Sequence, residues 1–126
     1  MANEKVTMFE VNGKEYEVKL NLKSIKYLNG LTKEGAYGLL GRVLMGDVGT
    51  FEDIIYAGLF HTGENFKKTD IQKAIDKKIE LEEIDLNYIH KTGYELVANH
   101  FFYKTTLDKM LAKEPEAKKQ IEELMK

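Results

Sequence analysis

The chain has 126 residues, enough for one domain with a single modest core. Apolar residues make up 43% and charged residues 32%, which excludes a disordered chain, and a formal net charge of -2 gives no overall pull toward nucleic acid. The absence of cysteine excludes a disulfide scaffold and a thiolate metal site.

The first residues, MANEKVTMFE, are polar where a signal sequence would be apolar. No apolar run approaches the roughly 18–20 residues of a membrane-spanning helix. Residues 6–20 read as a β-hairpin, with VTMFEV and KEYEVKL flanking Asn12-Gly13. A type I′ turn needs positive φ at both central residues, and Asn-Gly supplies it. Alternation puts Thr7, Phe9 and Val11 on one face and Val6, Met8 and Glu10 on the other; Tyr16, Val18 and Leu20 share a face of the second strand. A lone two-stranded hairpin is marginal in water, so this one must pack on helices or pair an edge with a neighbour.

Asn21 is placed to cap a helix over Leu22–Asn29, with Leu22, Ile25 and Leu28 or Tyr27 inward, and Asn29-Gly30 suits a left-handed C-cap. Thr32 starts a second helix, about Lys33–Met45, with Ala36, Leu39, Leu40, Val43 and Leu44 as its apolar side. Gly35, Gly38 and Gly41 recur at every third position, each costing about 1 kcal/mol against alanine inside a helix. The run fits close backbone packing against another helix, the preferred reading, or a frayed helix start.

After the Gly46-Asp47-Val48-Gly49 joint, the stretch Thr50–His61 reads as a helix capped by Thr50, with Glu52 and Asp53 in its first turn. Phe51, Ile54, Ile55 and Gly58 form one stripe, while Tyr56 and Phe60 fall on the other side. A helix apolar nearly all round is buried on all sides, so other helices or a partner must wrap it. GENFKK is a loop. Thr69 or Asp70 starts a fourth helix to about Leu81, with Ile71, Ala74, Ile75 and Ile79 inward and Lys73, Asp76, Lys77 and Glu80 solvated; Glu82–Asp85 is a turn. The longest helical pattern, about Asp85–Lys113, has Leu86, Ile89, Gly93, Leu96, Val97, His100, Tyr103, Leu107 and Leu111 in one stripe. Gly93 is a potential bend, and Tyr88 and Phe102 lie on the outer side. Pro115 at a first helical position begins a last short helix. The expected architecture is mainly α: an N-terminal β-hairpin followed by a compact bundle of about five to six helices. Residues 1–113 would form the domain, and 114–126 a separable C-terminal helix.

Catalytic chemistry is hard to find. His61, His90 and His100 are scattered, with no HExxH. The glycines at 35, 38 and 41 precede no Gly-Lys-Ser/Thr and follow no strand directly, and Ser24 lies in LKSIK, which is no nucleophile elbow. Glu82, Glu83 and Asp85 read as a solvated cluster. The expectation is no enzyme, no cofactor and no metal. Lys67, Lys68, Lys73, Lys77 and Lys78 cluster around the fourth helix, but Glu80, Glu82 and Glu83 follow at once, and Arg42 is the single arginine. A small nucleic-acid-binding regulator of phage or bacterial origin is thus the alternative, not the preferred, reading. What remains is a surplus of apolar side chains: Tyr56, Phe60, Tyr88 and Phe102 lie off the main stripes. They are either bundle core or protein-partner contacts, since aromatics are favoured in interface cores.

The hairpin FEVNGKEYEVKL, the helix NLKSIKYLNGL, the core GAYGLLGRVLMGDVGTFEDIIYAGLFH and the helix TDIQKAID together resemble the tail assembly chaperones of long-tailed phages and prophages of Gram-positive hosts. The resemblance runs over about residues 6–112. It lies in the order and texture of elements, most of all in the Asn-Gly hairpin, the Leu44-Met45-Gly46-Asp47 joint and the DIIYAGL helix. It implies a non-enzymatic role in virion assembly. The protein would bind the tape measure protein and keep it soluble until tail tube subunits polymerise around it. It also implies self-association into a spiral or ring, the tail tube protein as a further partner, no nucleic-acid or membrane partner, action in the host cytoplasm and absence from the mature virion. No family binding residue transfers, so Tyr56, Phe60, Tyr88 and Phe102 stand on helical geometry alone.

Overall fold

Two strands and then six α-helices follow one another among the residues described by the structure, a computed structural model: 6–98, 104–105, 108–109 and 112–124. Strands β1 (Thr7–Val11) and β2 (Lys14–Val18) pair antiparallel, with Phe9 opposite Tyr16 and Val11 opposite Lys14. Asn12 and Gly13 take φ of 55° and 83°, the positive pair a tight hairpin turn requires. Phe9, Val11 and Val18 are buried and Met8 is exposed, so of the two faces the one with Phe9 and Val11 is covered.

Helices α1 (Leu22–Asn29), α2 (Ala36–Leu44), α3 (Val48–Gly58), α4 (Lys68–Glu80), α5 (Leu86–Ala98) and α6 (Pro115–Leu124) follow, with a 3-10 turn over Phe60–Thr62. Helix α3 is the hub. Its Ile54 and Ala57 join Leu20, Ile25, Leu28, Leu39, Val43 and Val97 in one apolar cluster. Its Phe51 and Ile55, with Leu59 just past its end, join Phe9, Val11, Val18, Ile71, Ile75, Ile84 and Ile89 in a second. The expected stripe is therefore intramolecular core, and α1, α2, α4 and α5 all pack on α3. Each fully buried isoleucine or phenylalanine contributes roughly 1.5–3 kcal/mol. Gly93 does not break α5, which runs through it, and a Cβ there would lie 3.2 Å from Val43 Cγ1. Helix α6 lies against α5.

Local chemistry explains most of the departures from expectation. Asp47, not Thr50, caps α3: its Oδ2 accepts from Thr50 N–H at 3.1 Å and from Thr50 Oγ1 at 2.5 Å. The helix therefore starts earlier than expected. Helix α2 starts later than expected, because Gly35 takes φ of 58° and the chain before it forms a turn held by Thr32 Oγ1 donating to Gly35 O. A Cβ on Gly38 would meet Thr32 and Glu34 of that turn, and one on Gly41 meets no described atom within 4 Å. Among the described residues the glycine run thus shapes a helix start and shows no helix–helix contact. Gly30 ends α1 in a right-handed conformation, not a left-handed one. Leu22 is 68% exposed, because Ser24, two residues on, takes the inward place; Leu86 is also exposed, at the first position of α5. Ile84, in the acidic turn, is buried.

Candidate functional site

The C-terminal end of α3 is where the hairpin, α1 and the following loop meet. The last carbonyls of a helix lack intrahelical donors. Here Lys19 N–H donates to Gly58 O at 2.8 Å and the buried Ser24 hydroxyl donates to Ala57 O at 2.7 Å. Ser24 also completes a capping box with Asn21, whose Oδ1 accepts from Ser24 N–H at 2.9 Å. One serine thus starts α1 and seals α3.

Tyr56, on the last turn of α3, and Phe60, just beyond it, present their rings beside this joint. They form an edge-on triad with Tyr27 of α1: the centroids are 5.0 Å apart for Tyr56–Phe60, 5.6 Å for Tyr27–Tyr56 and 5.5 Å for Tyr27–Phe60. All three rings are half-buried. The chain then turns through Gly63 and Asn65. Thr62 Oγ1 donates to Leu59 O at 2.8 Å and accepts from Glu64 N–H at 3.2 Å. This brings Phe66 against Tyr16 of β2, centroids 5.1 Å apart and edge-on. Between the triad and Phe66 lies a cleft of about 270 Å³ lined by Lys23, Tyr56, Leu59, Phe60, Asn65 and Phe66.

The rim is basic. Lys23 Nζ is 5.3 Å from the Phe60 ring centroid, and Lys14 Nζ is 5.3 Å from that of Tyr16. Lys68 is held differently, with Nζ 2.7 Å from Asp53 Oδ1. The hydrogen bond to Asp53 holds its ammonium above the ordinary lysine range. Behind it Glu52 faces Asp76, and burial first, then the Asp76 and Asp53 charges, push its carboxyl up.

The four residues singled out from helical spacing are not all in one place. Tyr56 and Phe60 share the triad. Tyr88 lies elsewhere, half-buried with its ring edge-on to Phe51 at 5.9 Å. Phe102 lies outside the described residues, as does His100. Phe66 was not singled out; the only trace it leaves in the sequence is an aromatic residue inside the polar loop GENFKK. Of the other histidines, His61 donates from Nε2 to Glu17 O at 2.7 Å, tying the 3-10 turn to β2. His90 Nδ1 is buried beside Gly46. Among the described residues no group of three histidines or carboxylates is placed to hold a metal ion, and no helix is long and apolar enough to cross a membrane. The lysines of α4 line a second cleft, about 370 Å³, where Lys73, Lys77 and Lys78 share the walls with Glu10, Asp70 and Glu83. Lys78 bonds Glu10 at 3.3 Å. That surface carries both signs of charge.

A family model described as "Phage tail assembly chaperone protein, TAC" matches residues 8–112. Neither a curated protein nor a solved structure matches the chain.

Proposed function

The chain belongs to the phage tail assembly chaperone family, and on that premise we propose that it binds the tape measure protein of a long-tailed phage or prophage and keeps it soluble while tail tube subunits assemble around it. The role is non-enzymatic. The observation that carries this reading is the half-buried aromatic cleft beside α3 in a chain matched by the family over residues 8–112. An apolar helix delivers anchors at helical spacing into such a groove. Tyr56 and Phe60 are the proposed contacts, with Tyr88 and Phe102 as further contacts assigned on helical spacing. Copies of the chain arrayed in a spiral or ring would multiply weak contacts along one long client by avidity. The protein would act in the host cytoplasm and leave before the virion is complete.

Co-expression with a tape measure protein of a long-tailed phage tests the reading. The wild-type chain is expected to raise the soluble fraction of that protein several-fold. Phe60→Asp should lose most of this effect while keeping a cooperative thermal melt. A soluble fraction that the wild-type chain does not change would sink the proposal. A Phe60→Asp variant that fails to melt cooperatively would make Phe60 core rather than contact.

A further inference from the structure

Lys23 lines the aromatic cleft, and Lys14 lies one ring behind its Phe66 wall. Lys23 sits over Phe60, and Lys14 sits over Tyr16, whose ring supports Phe66. Among the described residues neither lysine has a carboxylate within 4 Å, whereas Lys68 and Lys78 are paired with Asp53 and with Glu10 and Glu83. Lys14 and Lys23 are exposed, and among the described residues each rests on a ring and not on a carboxylate. An ammonium over a ring keeps its outer side free, so a carboxylate can approach it without displacing the ring. At about 270 Å³ the cleft falls below the roughly 300–1,000 Å³ of sites that hold drug-sized molecules. It suits one large side chain.

We propose that this cleft selects a partner helix by a two-part signature: one aromatic or leucine-sized anchor inserted between Phe60 and Phe66, and a carboxylate within one helical turn of that anchor, paired with Lys23. The proposal rests on the reading of this surface as the client-binding site, and it specifies which segments of a long client the cleft accepts. Charge complementarity at a solvated rim contributes selection more than affinity. Apolar segments without a flanking acid are held weakly, and those flanked by lysine are repelled.

The test uses two synthetic helical peptides with the same apolar stripe, one with glutamate and one with lysine four residues after the central phenylalanine. Each is titrated into the isotope-labelled full chain and followed by amide chemical shifts. The glutamate peptide is expected to shift the amides of residues 59–66 and to bind about five- to ten-fold more tightly than the lysine peptide, since exchanging attraction for repulsion at an exposed pair is a modest effect. Lys23→Glu should reverse the order, and added salt should shrink the difference. Equal affinities at the same amides would overturn the charge selection and leave the client-binding reading intact. Shifts absent from residues 59–66 with both peptides would overturn the reading of the cleft as well.

Discussion

At Gly58 the hairpin and α3 approach so closely that a Cβ would overlap Val18 Cγ1. Alanine there gains roughly 0.5–1 kcal/mol of helix propensity but must displace a buried valine, at a cost of about 1–3 kcal/mol. Gly58→Ala is expected to lower the urea midpoint; an unchanged midpoint would mean that Val18 turns aside freely. Glu52 supplies a second measurement. Burial, Asp76 and Asp53 raise its carboxyl above the ordinary 4.5, so the folded protein holds this proton more tightly than the unfolded chain. The stability from that preference is complete below 4.5 and is lost as pH rises through the elevated folded value. Near neutrality the carboxylate opposes folding. Glu52→Gln should therefore raise the neutral urea midpoint, with the gain shrinking under acid; a loss at neutrality would show that hydrogen bonding to the carboxylate outweighs its burial. Neither residue announced this in the sequence. Gly58 was legible as part of a stripe, but its tight neighbour Val18 lies on another element. Ser24, read only as a poor nucleophile, has its partner Ala57 33 positions away.

At the scale of elements, local signals worked where one residue type had one role. Asn-Gly placed the hairpin, Asn21 placed the start of α1, and Pro115 placed the start of α6. They failed where two candidates competed. Asp47 and Thr50 are both good caps, three residues apart, and the sequence favoured the one nearer the apolar run. In the fold Thr50 is buried and bonds Asp47, which leaves the cap to the aspartate. Asp47→Ala should cost about 0.5–2 kcal/mol in chemical denaturation; a variant as stable as the wild type would return the capping role to Thr50. The glycine run misled for a related reason. Spacing cannot tell a backbone that needs room for a neighbour from one that needs positive φ, and Gly35 is of the second kind.

For the molecule as a whole, the two apolar clusters meet on α3, so most of the chain unfolds with it. Helix α6 is the exception by position, since it lies against α5 and its described side chains are exposed. Deleting residues 114–126 should leave a cooperative melt with Tm lower by no more than about 5 °C; loss of cooperativity would make α6 part of the core domain. The hub helix was legible because its apolar residues occupy two sides. The cleft was only half legible. Tyr56 and Phe60 share a helical face in the sequence, but Tyr16, Tyr27 and Phe66 reach the same place from three other segments. Tyr88 was the converse case: off its helix's main stripe, it lies against the second apolar cluster.

The bond from Lys19 N–H to Gly58 O also orders events on the ribosome. The hairpin is synthesised before α3, and a two-stranded hairpin alone is marginal in water. Its anchoring carbonyl follows only after α1, α2 and most of α3, about 2–8 s later at the usual ~5–20 residues per second. Until then Phe9, Val11 and Val18 have no α3 to cover them. A chain whose proposed task is to shield another protein's apolar surface passes through its own synthesis with such a surface exposed, and α3 is the segment that closes it.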